Sequence, residues 1–135
     1  MNKGGSVDLG WVKISMTTAD HSSSCGFDSD SNQVICGGAP AGWIVKFPYL
    51  NDLSIYHCGD TNIFGDMELI NELYKPNYLL LCIGGNYTMG PDEAALAVER
   101  YFTHAHTVIP MHFGTFEHMP GNFITFQEKL NELNV

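Results

Sequence analysis

The order of strand and helix patterns in the second half of the chain places the strongest limit on the fold. Two strand-length apolar segments, 43–47 and 53–57, flank the sequence PYLND, which is rich in turn-forming residues. The remaining patterns alternate between helix and strand, with helices over about 64–74, 91–102 and 123–133 and strands over 77–83 and 106–110. This order predicts an α/β layered fold in which helices cover a mixed sheet.

The first half of the chain is less regular. Residues 11–17 (WVKISMT) alternate apolar and polar side chains and predict a further strand. The polar, glycine-rich segment 22–42 predicts a long exposed connection. The continuous apolar run at 77–83 predicts a strand buried on both faces. At 135 residues, the chain is expected to form a single domain.

The charge balance limits the partners. Acidic residues outnumber basic residues by 15 to 6, and the formal net charge is −9. Such a surface repels phosphate backbones and anionic lipids, so neither a nucleic-acid partner nor a membrane partner is expected. No apolar run approaches the roughly 20 residues that span a bilayer, and the first ten residues lack the apolar core of a signal peptide. The four cysteines form no CxxC pair, and we expect a cytoplasmic protein with reduced thiols.

Three predicted strands end next to side chains that bind metals. His21 follows the strand at 11–17, Asp60 follows the strand at 53–57, and His112 follows the strand at 106–110. Polar residues at the carboxyl ends of strands collect at one edge of the sheet in such folds. Imidazole and carboxylate groups are ligands for divalent metals such as zinc, at distances of about 2.0–2.2 Å. The spacing therefore indicates a candidate metal site.

Each of these residues also has a local interpretation, and the spacing alone leaves both open. Asp60 could cap the following helix or close an Asx turn. His21 precedes three serines and could be an exposed loop histidine, while His112 lies between Met111 and Phe113 and could be a core histidine. His57 could orient the turn that carries Asp60.

Three longer motifs carry a resemblance to a known family. The sequences HCGDTNIFGDMELINELYKP, GGNYTMGPDEAALAVE and VIPMHFGTF resemble the C-terminal half of metallo-β-lactamase-fold hydrolases, in particular the group related to ascorbate-6-phosphate lactonase. The resemblance implies a four-layer αββα sandwich made of two similar halves, with one or two metal ions at the edge between them.

The same resemblance implies roles for individual residues. His21 and His112 match histidine ligands, and Asp60 matches the catalytic carboxylate that bridges two metal ions. The implied metal is zinc, with manganese as an alternative. The loop GGNYTMGP, with Asn86 and Thr88, is implied to border the substrate pocket.

The family's HxHxDH motif has no match in this chain, since THAHT at 103–107 has the HxH spacing but lacks the DH. We therefore expect the chain to correspond to the C-terminal half of the fold, with the N-terminal half absent. The implied function is hydrolysis of an ester, lactone or phosphodiester by a metal-bound hydroxide, acting on a small molecule. This chain alone is expected to be incomplete or inactive.

Two alternatives stay open at this point. The first is a non-catalytic metal-binding or assembly module, which forms a homo-oligomer or pairs with a partner that supplies the missing half. The second is a chain whose ligand residues persist but bind nothing.

Overall fold

A computed structural model describes residues 1–135 and contains eight strands and three helices. The strands are β1 (Ser6–Asp8), β2 (Lys13–Thr18), β3 (Ser24–Asp28), β4 (Gln33–Cys36), β5 (Ala41–Phe47), β6 (Leu53–His57), β7 (Tyr78–Cys82) and β8 (Thr107–Met111). The helices are α1 (Met67–Tyr74), α2 (Pro91–Tyr101) and α3 (Phe123–Glu132). None of the helices is long and apolar enough to cross a membrane.

Six strands form one mixed sheet in the order β1-β2-β5-β6-β7-β8. Pairing is antiparallel from β1 through β6 and parallel between β6, β7 and β8, which are joined by the crossover helices α1 and α2. The predicted mixed sheet with covering helices is therefore confirmed. Because β2, β6, β7 and β8 run in the same direction, their carboxyl ends meet at one edge of the sheet.

All three helices pack on the same face of this sheet. The cross-strand row Ile44, Tyr56 and Leu79 forms the floor of the core, and Leu81 extends it. The helices contribute side chains that are almost completely buried, among them Met67, Ala94, Ala95, Val98 and Phe126. Full burial of an aliphatic or aromatic side chain contributes about 1.5–3 kcal/mol, so this face supplies most of the stability.

The opposite face has no helix on it. Two cross-strand rows run along it: Val7, Ile14, Val45, Ile55, Tyr78 and Thr107, and Met16, Trp43, His57, Leu80 and Ile109. We call these eleven residues the open sheet face. They include no Asp, Glu, Lys or Arg, and all of them are half-buried or exposed.

The open sheet face corrects one prediction from the sequence. The run at 77–83 was expected to be buried on both faces, and this is wrong, because Leu80 is half-buried and Tyr78 is 38% exposed. Its alternate residues Leu79 and Leu81 are buried under the helices. The run is apolar on both faces, but only one face is covered.

The segment 22–42 also differs from its prediction. It contains the antiparallel hairpin β3–β4, which forms a separate two-stranded sheet. Nearly every residue of the hairpin is exposed. Since no core-facing side of the hairpin is buried, its sequence lacks the apolar alternation by which strands are predicted.

The helix ends follow local chemistry. Helix α1 begins at Met67, later than predicted, with Asp66 as its N-cap, and it stops at Lys75, ahead of Pro76. Helix α2 begins at Pro91, where Glu93 Oε2 accepts a hydrogen bond of 3.0 Å from Gly90 N–H.

Candidate metal centre

The exits of β2 and β6 are joined by hydrogen bonds. The N–H of Asp20 donates to Thr61 Oγ1 at 2.9 Å, and the N–H of Asn62 donates to the Asp20 carbonyl at 2.9 Å. These two bonds hold the segment before His21 against the turn that carries Asp60. The two strand exits are therefore held together, although 41 positions separate Asp20 from Thr61 in the sequence.

The exits of β7 and β8 join the same edge. The N–H of Met89 donates to the Thr61 carbonyl at 2.9 Å, and the N–H of Ile83 donates to the Met111 carbonyl at 3.1 Å. Thr61 thus bonds to the segments after both β2 and β7. The four parallel strand ends meet at one edge, as the positions of the polar residues predicted.

Gly59 allows the close approach of these segments. Its φ of +68° lies in the left-handed region, and a Cβ at this position would overlap the carbonyl of Ala41. Only glycine satisfies both conditions, so the chain can turn sharply after β6 and present the next residue, Asp60, at the edge of the sheet.

Asp60 and His112 are in direct contact at this edge. His112 Nε2 lies 3.1 Å from Asp60 Oδ2, and the two side chains are 29% and 52% exposed. His112 has a φ of +54°, a conformation that non-glycine residues adopt rarely and that clusters at functional sites. The pair is accessible to solvent, and its oxygen and nitrogen donors suit a divalent metal.

This geometry disfavours the local interpretations of both residues. The N-cap of α1 is Asp66, and no backbone N–H donates to the Asp60 carboxylate. His112 is not a core histidine, because its side chain is 29% exposed. The polar contact of each side chain is with the other residue of the pair.

The structure does not bring His21 into this pair. Its Nδ1 lies 2.7 Å from the Ser22 carbonyl, to which it donates a proton. In the neutral imidazole this leaves the lone pair on Nε2, the atom that would be free to bind a metal. No three His, Cys, Asp or Glu side chains lie close enough together to hold a metal ion. Two of the three predicted ligands therefore meet, and the third lies on an adjoining segment.

The donor chemistry fits a divalent metal, but the number of donors is low. A catalytic zinc site ordinarily has three protein ligands and one open position. Asp60 and His112 supply two, and the hydrogen bonds of Asp20 keep the segment of His21 beside them.

The three predicted supporting residues lie around the same edge. His57 Nδ1 accepts a hydrogen bond of 3.1 Å from the N–H of Gly59, the residue before Asp60. Asn86 donates to the His118 carbonyl, and Thr88 donates to the Met89 carbonyl at 3.3 Å. The roles proposed for these residues in orientation and in the pocket stay predictions.

Sequence reasoning missed three residues that support the Asp60 turn. Thr61 is fully buried, and Cys58 and Cys82 lie behind it with their sulfur atoms 3.6 Å apart. Cys58 Sγ lies 2.8 Å from the Gly59 carbonyl, and Cys82 Sγ lies 3.4 Å from the Thr61 carbonyl. Hydrogen bonding to Cys82, together with burial, raises the pKa of the Cys58 thiol well above its usual range, so Cys58 stays protonated. The sequence signal that could have identified Thr61 is its position, because its hydroxyl directly follows the strand-exit carboxylate of Asp60.

A sequence model of the β-lactamase superfamily domain matches residues 1–113 of the chain. Two relatives described as UPF0173 metal-dependent hydrolases are among the most similar. The protein from Methanosarcina barkeri is 50% identical over 120 residues, which are 87% of this chain and 47% of that protein. The protein from Methanocaldococcus jannaschii is 44% identical over 135 residues, which are 100% of this chain and 56% of that protein.

Solved structures show the same architecture. Igni18, described as a metallo hydrolase from the archaeon Ignicoccus hospitalis, superposes with a TM-score of 0.78 at 32% identity, over 99% of this chain and 53% of that one. An isothiocyanate hydrolase from Delia radicum gut bacteria superposes with a TM-score of 0.68 at 19% identity, over 99% and 53% of the two chains, a likeness of fold alone. The chain spans about half the length of the relatives it matches.

Proposed function

The chain belongs to the β-lactamase superfamily, and on that premise we propose that it forms part of a metal-dependent hydrolase whose metal centre is built around Asp60 and His112. The observation that carries the proposal is the contact of 3.1 Å between His112 Nε2 and Asp60 Oδ2 at the shared edge of four strand ends. The relatives described as metal-dependent hydrolases support it.

In this proposal each residue has a distinct task. His112 Nε2 and the Asp60 carboxylate are two of the metal ligands, and His21 is a third through Nε2. The Asp60 carboxylate has two oxygens and could therefore serve as a ligand to one cation or to two. Zinc is the proposed metal and manganese the alternative, and either cation would supply Lewis acidity and make a water molecule nucleophilic near neutral pH.

The proposed substrates are small-molecule esters, lactones or phosphodiesters. Hydrolysis adds water across the ester bond, with oxygen bonded to the carbonyl carbon or the phosphorus and a proton transferred to the leaving oxygen. The chain's own contribution is to fix the ligands. His57 orients the turn before Asp60, and Thr61 holds that turn to the segment before His21.

We further propose that a second layer on the open sheet face completes the site. Apolar patches of this kind are rare on monomers and mark sites of association. The relatives contain roughly as much chain again as this chain spans. The second layer, and the remaining metal ligands, would come from a further segment of a longer polypeptide, from another copy of the chain or from a partner polypeptide.

The cytoplasm is the proposed compartment. All four cysteines are free thiols, including the adjacent pair Cys58 and Cys82. Reduced cysteines that lie this close together are typical of a reducing environment.

The hydrolase proposal is tested by measuring turnover of p-nitrophenyl butyrate, a γ-lactone and bis(p-nitrophenyl) phosphate, with zinc or manganese added. The assay is run on this chain and on a version joined to the preceding half of the Methanocaldococcus jannaschii relative. We expect turnover in the joined protein and at least a hundredfold loss in its Asp60→Ala variant. The variant Asp66→Ala is the matched control, since Asp66 is exposed and makes no side-chain cap bond. Turnover that survives Asp60→Ala would contradict the proposal.

A second candidate function, a non-catalytic assembly module, is favoured by one observation. The open sheet face is uncharged and apolar, whereas the candidate metal centre brings only two ligands into contact. In this case this chain would associate through the open sheet face, and the joined protein would hydrolyse none of the three substrates.

A further inference from the structure

A polar cavity of about 470 Å³ lies at the sheet edge opposite the candidate metal centre. Its walls come from the β5–β6 turn, the end of α1 and the loop between α2 and β8. Asp52 and Asn77 line the cavity and directly precede β6 and β7. Since β6 has five residues, about 16 Å of strand separates the cavity from the exit at Asp60. The two sites are therefore distinct.

Basic groups are concentrated in this cavity. The chain has six Lys or Arg residues and six His residues. Four of these twelve line the cavity: Lys46, Lys75, His104 and His106. The one carboxylate in the lining is Asp52. In a chain with a net charge of −9, this is a local reversal of sign.

Lys75 is the lysine most available to a ligand. No carboxylate lies within 4.0 Å of its ammonium group, whereas Lys46 is paired with Asp52 at 3.4 Å. Lys75 also has a fixed place, because it ends α1 in a left-handed conformation and its N–H donates to the Asn71 carbonyl at 2.9 Å.

His104 is oriented by a buried partner. Asn71 is only 5% exposed, and its Nδ2 lies 3.3 Å from His104 Nδ1 and 3.3 Å from Thr103 Oγ1. With the Asn71 amide in this orientation its NH₂ group donates to Nδ1, so in the neutral imidazole Nε2 carries the proton. The cavity lining thus includes several side chains that can donate hydrogen bonds, namely Lys46, Lys75, Thr103 and His104, beside the single carboxylate of Asp52.

We propose that this cavity is a binding site for a small phosphate-bearing molecule. A phosphate group carries up to two negative charges and several acceptor oxygens, which match two ammonium groups and neighbouring N–H and O–H donors. The volume lies within the range of small-molecule sites, so there is room for a molecule larger than phosphate alone. The site does not depend on the proposed hydrolase activity, and either can fail without the other.

The first test titrates the chain with inorganic phosphate at constant ionic strength and follows backbone amide resonances by NMR. We expect shifts at Lys75, Asn77 and residues 103–106. The variant Lys75→Gln should weaken phosphate binding about five- to tenfold. Lys3→Gln is the matched control, since Lys3 also lacks a carboxylate partner but lies outside the cavity. It should change the affinity less than twofold.

The second test uses a variant that should strengthen phosphate binding. Asp52→Asn removes the one carboxylate of the cavity and releases Lys46, so phosphate should bind about two- to fivefold more tightly. Asparagine tolerates the φ of +57° at this position, so the fold should be kept.

Phosphate binding that is absent, or that responds equally to Lys75→Gln and Lys3→Gln, would overturn the proposal. Acetate binding as tight as phosphate binding would overturn the assignment to phosphate.

Discussion

Asp60 differs from the exposed acidic residues in what its carboxylate contacts. Lys129 pairs with Asp92 and Glu132 on exposed helix surfaces, where ion pairs contribute little. Asp60 instead faces His112, on a segment held by buried hydrogen bonds of Thr61. The carboxylate is held beside the imidazole, and both groups are accessible to solvent. This is the arrangement expected of two metal ligands.

At the same scale, the buried Tyr56 gives a prediction about stability. Tyr56 is fully buried against Phe102, with ring centroids 5.3 Å apart, and no atom meets the geometry of a hydrogen bond to its hydroxyl. Leaving a buried hydroxyl unpaired costs about 1–3 kcal/mol. We therefore expect Tyr56→Phe to raise the free energy of unfolding by about 1 kcal/mol, measured by urea denaturation at pH 8.

Tyr56 should also shape the alkaline limit of stability. Burial raises the pKa of its hydroxyl well above the usual range. In the unfolded chain the hydroxyl ionises near pH 10, whereas the folded state keeps its proton. Stability is therefore fully present below about pH 10 and is lost as the pH rises, by up to about 1.4 kcal/mol per pH unit. Tyr56→Phe should lose less stability than the unchanged chain between pH 8 and 11, and equal losses would contradict this assignment.

At the scale of single elements, the turn after β6 depends on the Thr61 hydroxyl. This oxygen accepts from Asp20 N–H at 2.9 Å and lies 2.7 Å from the Asn62 carbonyl, to which it donates. Thr61→Val keeps the shape of the side chain but leaves both backbone groups without their partner. We expect this substitution to lower the free energy of unfolding by about 2 kcal/mol. Thr88→Val is the control, because the Thr88 hydroxyl makes one longer bond of 3.3 Å, and equal effects of the two variants would count against the central position of Thr61.

The same elements show what the sequence could predict. The β5–β6 hairpin, both crossover helices and the strand-exit positions of Asp60 and His112 follow from apolar periodicity and turn residues. The β3–β4 hairpin could not be predicted in this way, because it buries neither face and shows no periodic apolar pattern. The bonds of Thr61 to Asp20 and Met89 depend on residues far away in the sequence, so local patterns carry no signal for them.

At the scale of the whole molecule, the open sheet face is the feature that the fold leaves unexplained. A mixed sheet with helices on one face ordinarily buries its other apolar face against a second layer. We predict that the chain self-associates at micromolar concentrations and that Ile55→Lys, which places a charge in the middle of this face, abolishes association.

Size-exclusion chromatography with light scattering measures this association. Ile124→Lys is the matched control, since Ile124 lies on α3 and is 68% exposed. It should leave the oligomeric state unchanged. A monomeric unchanged chain at 100 µM, a concentration chosen as about a hundredfold above the expected dissociation constant, would show that another copy of the chain does not cover the open sheet face.

The central claim is that the edge around Asp60 and His112 is a metal site, and zinc binding tests it most directly. Isothermal titration calorimetry with zinc should give a saturable site on the chain. Asp60→Ala and His112→Ala should each weaken its affinity at least tenfold, because each removes one ligand. Asp66→Ala and His118→Ala remove the same groups from exposed positions and should leave the affinity within twofold. Zinc binding that is absent, or that is unchanged in both Asp60→Ala and His112→Ala, would contradict the account.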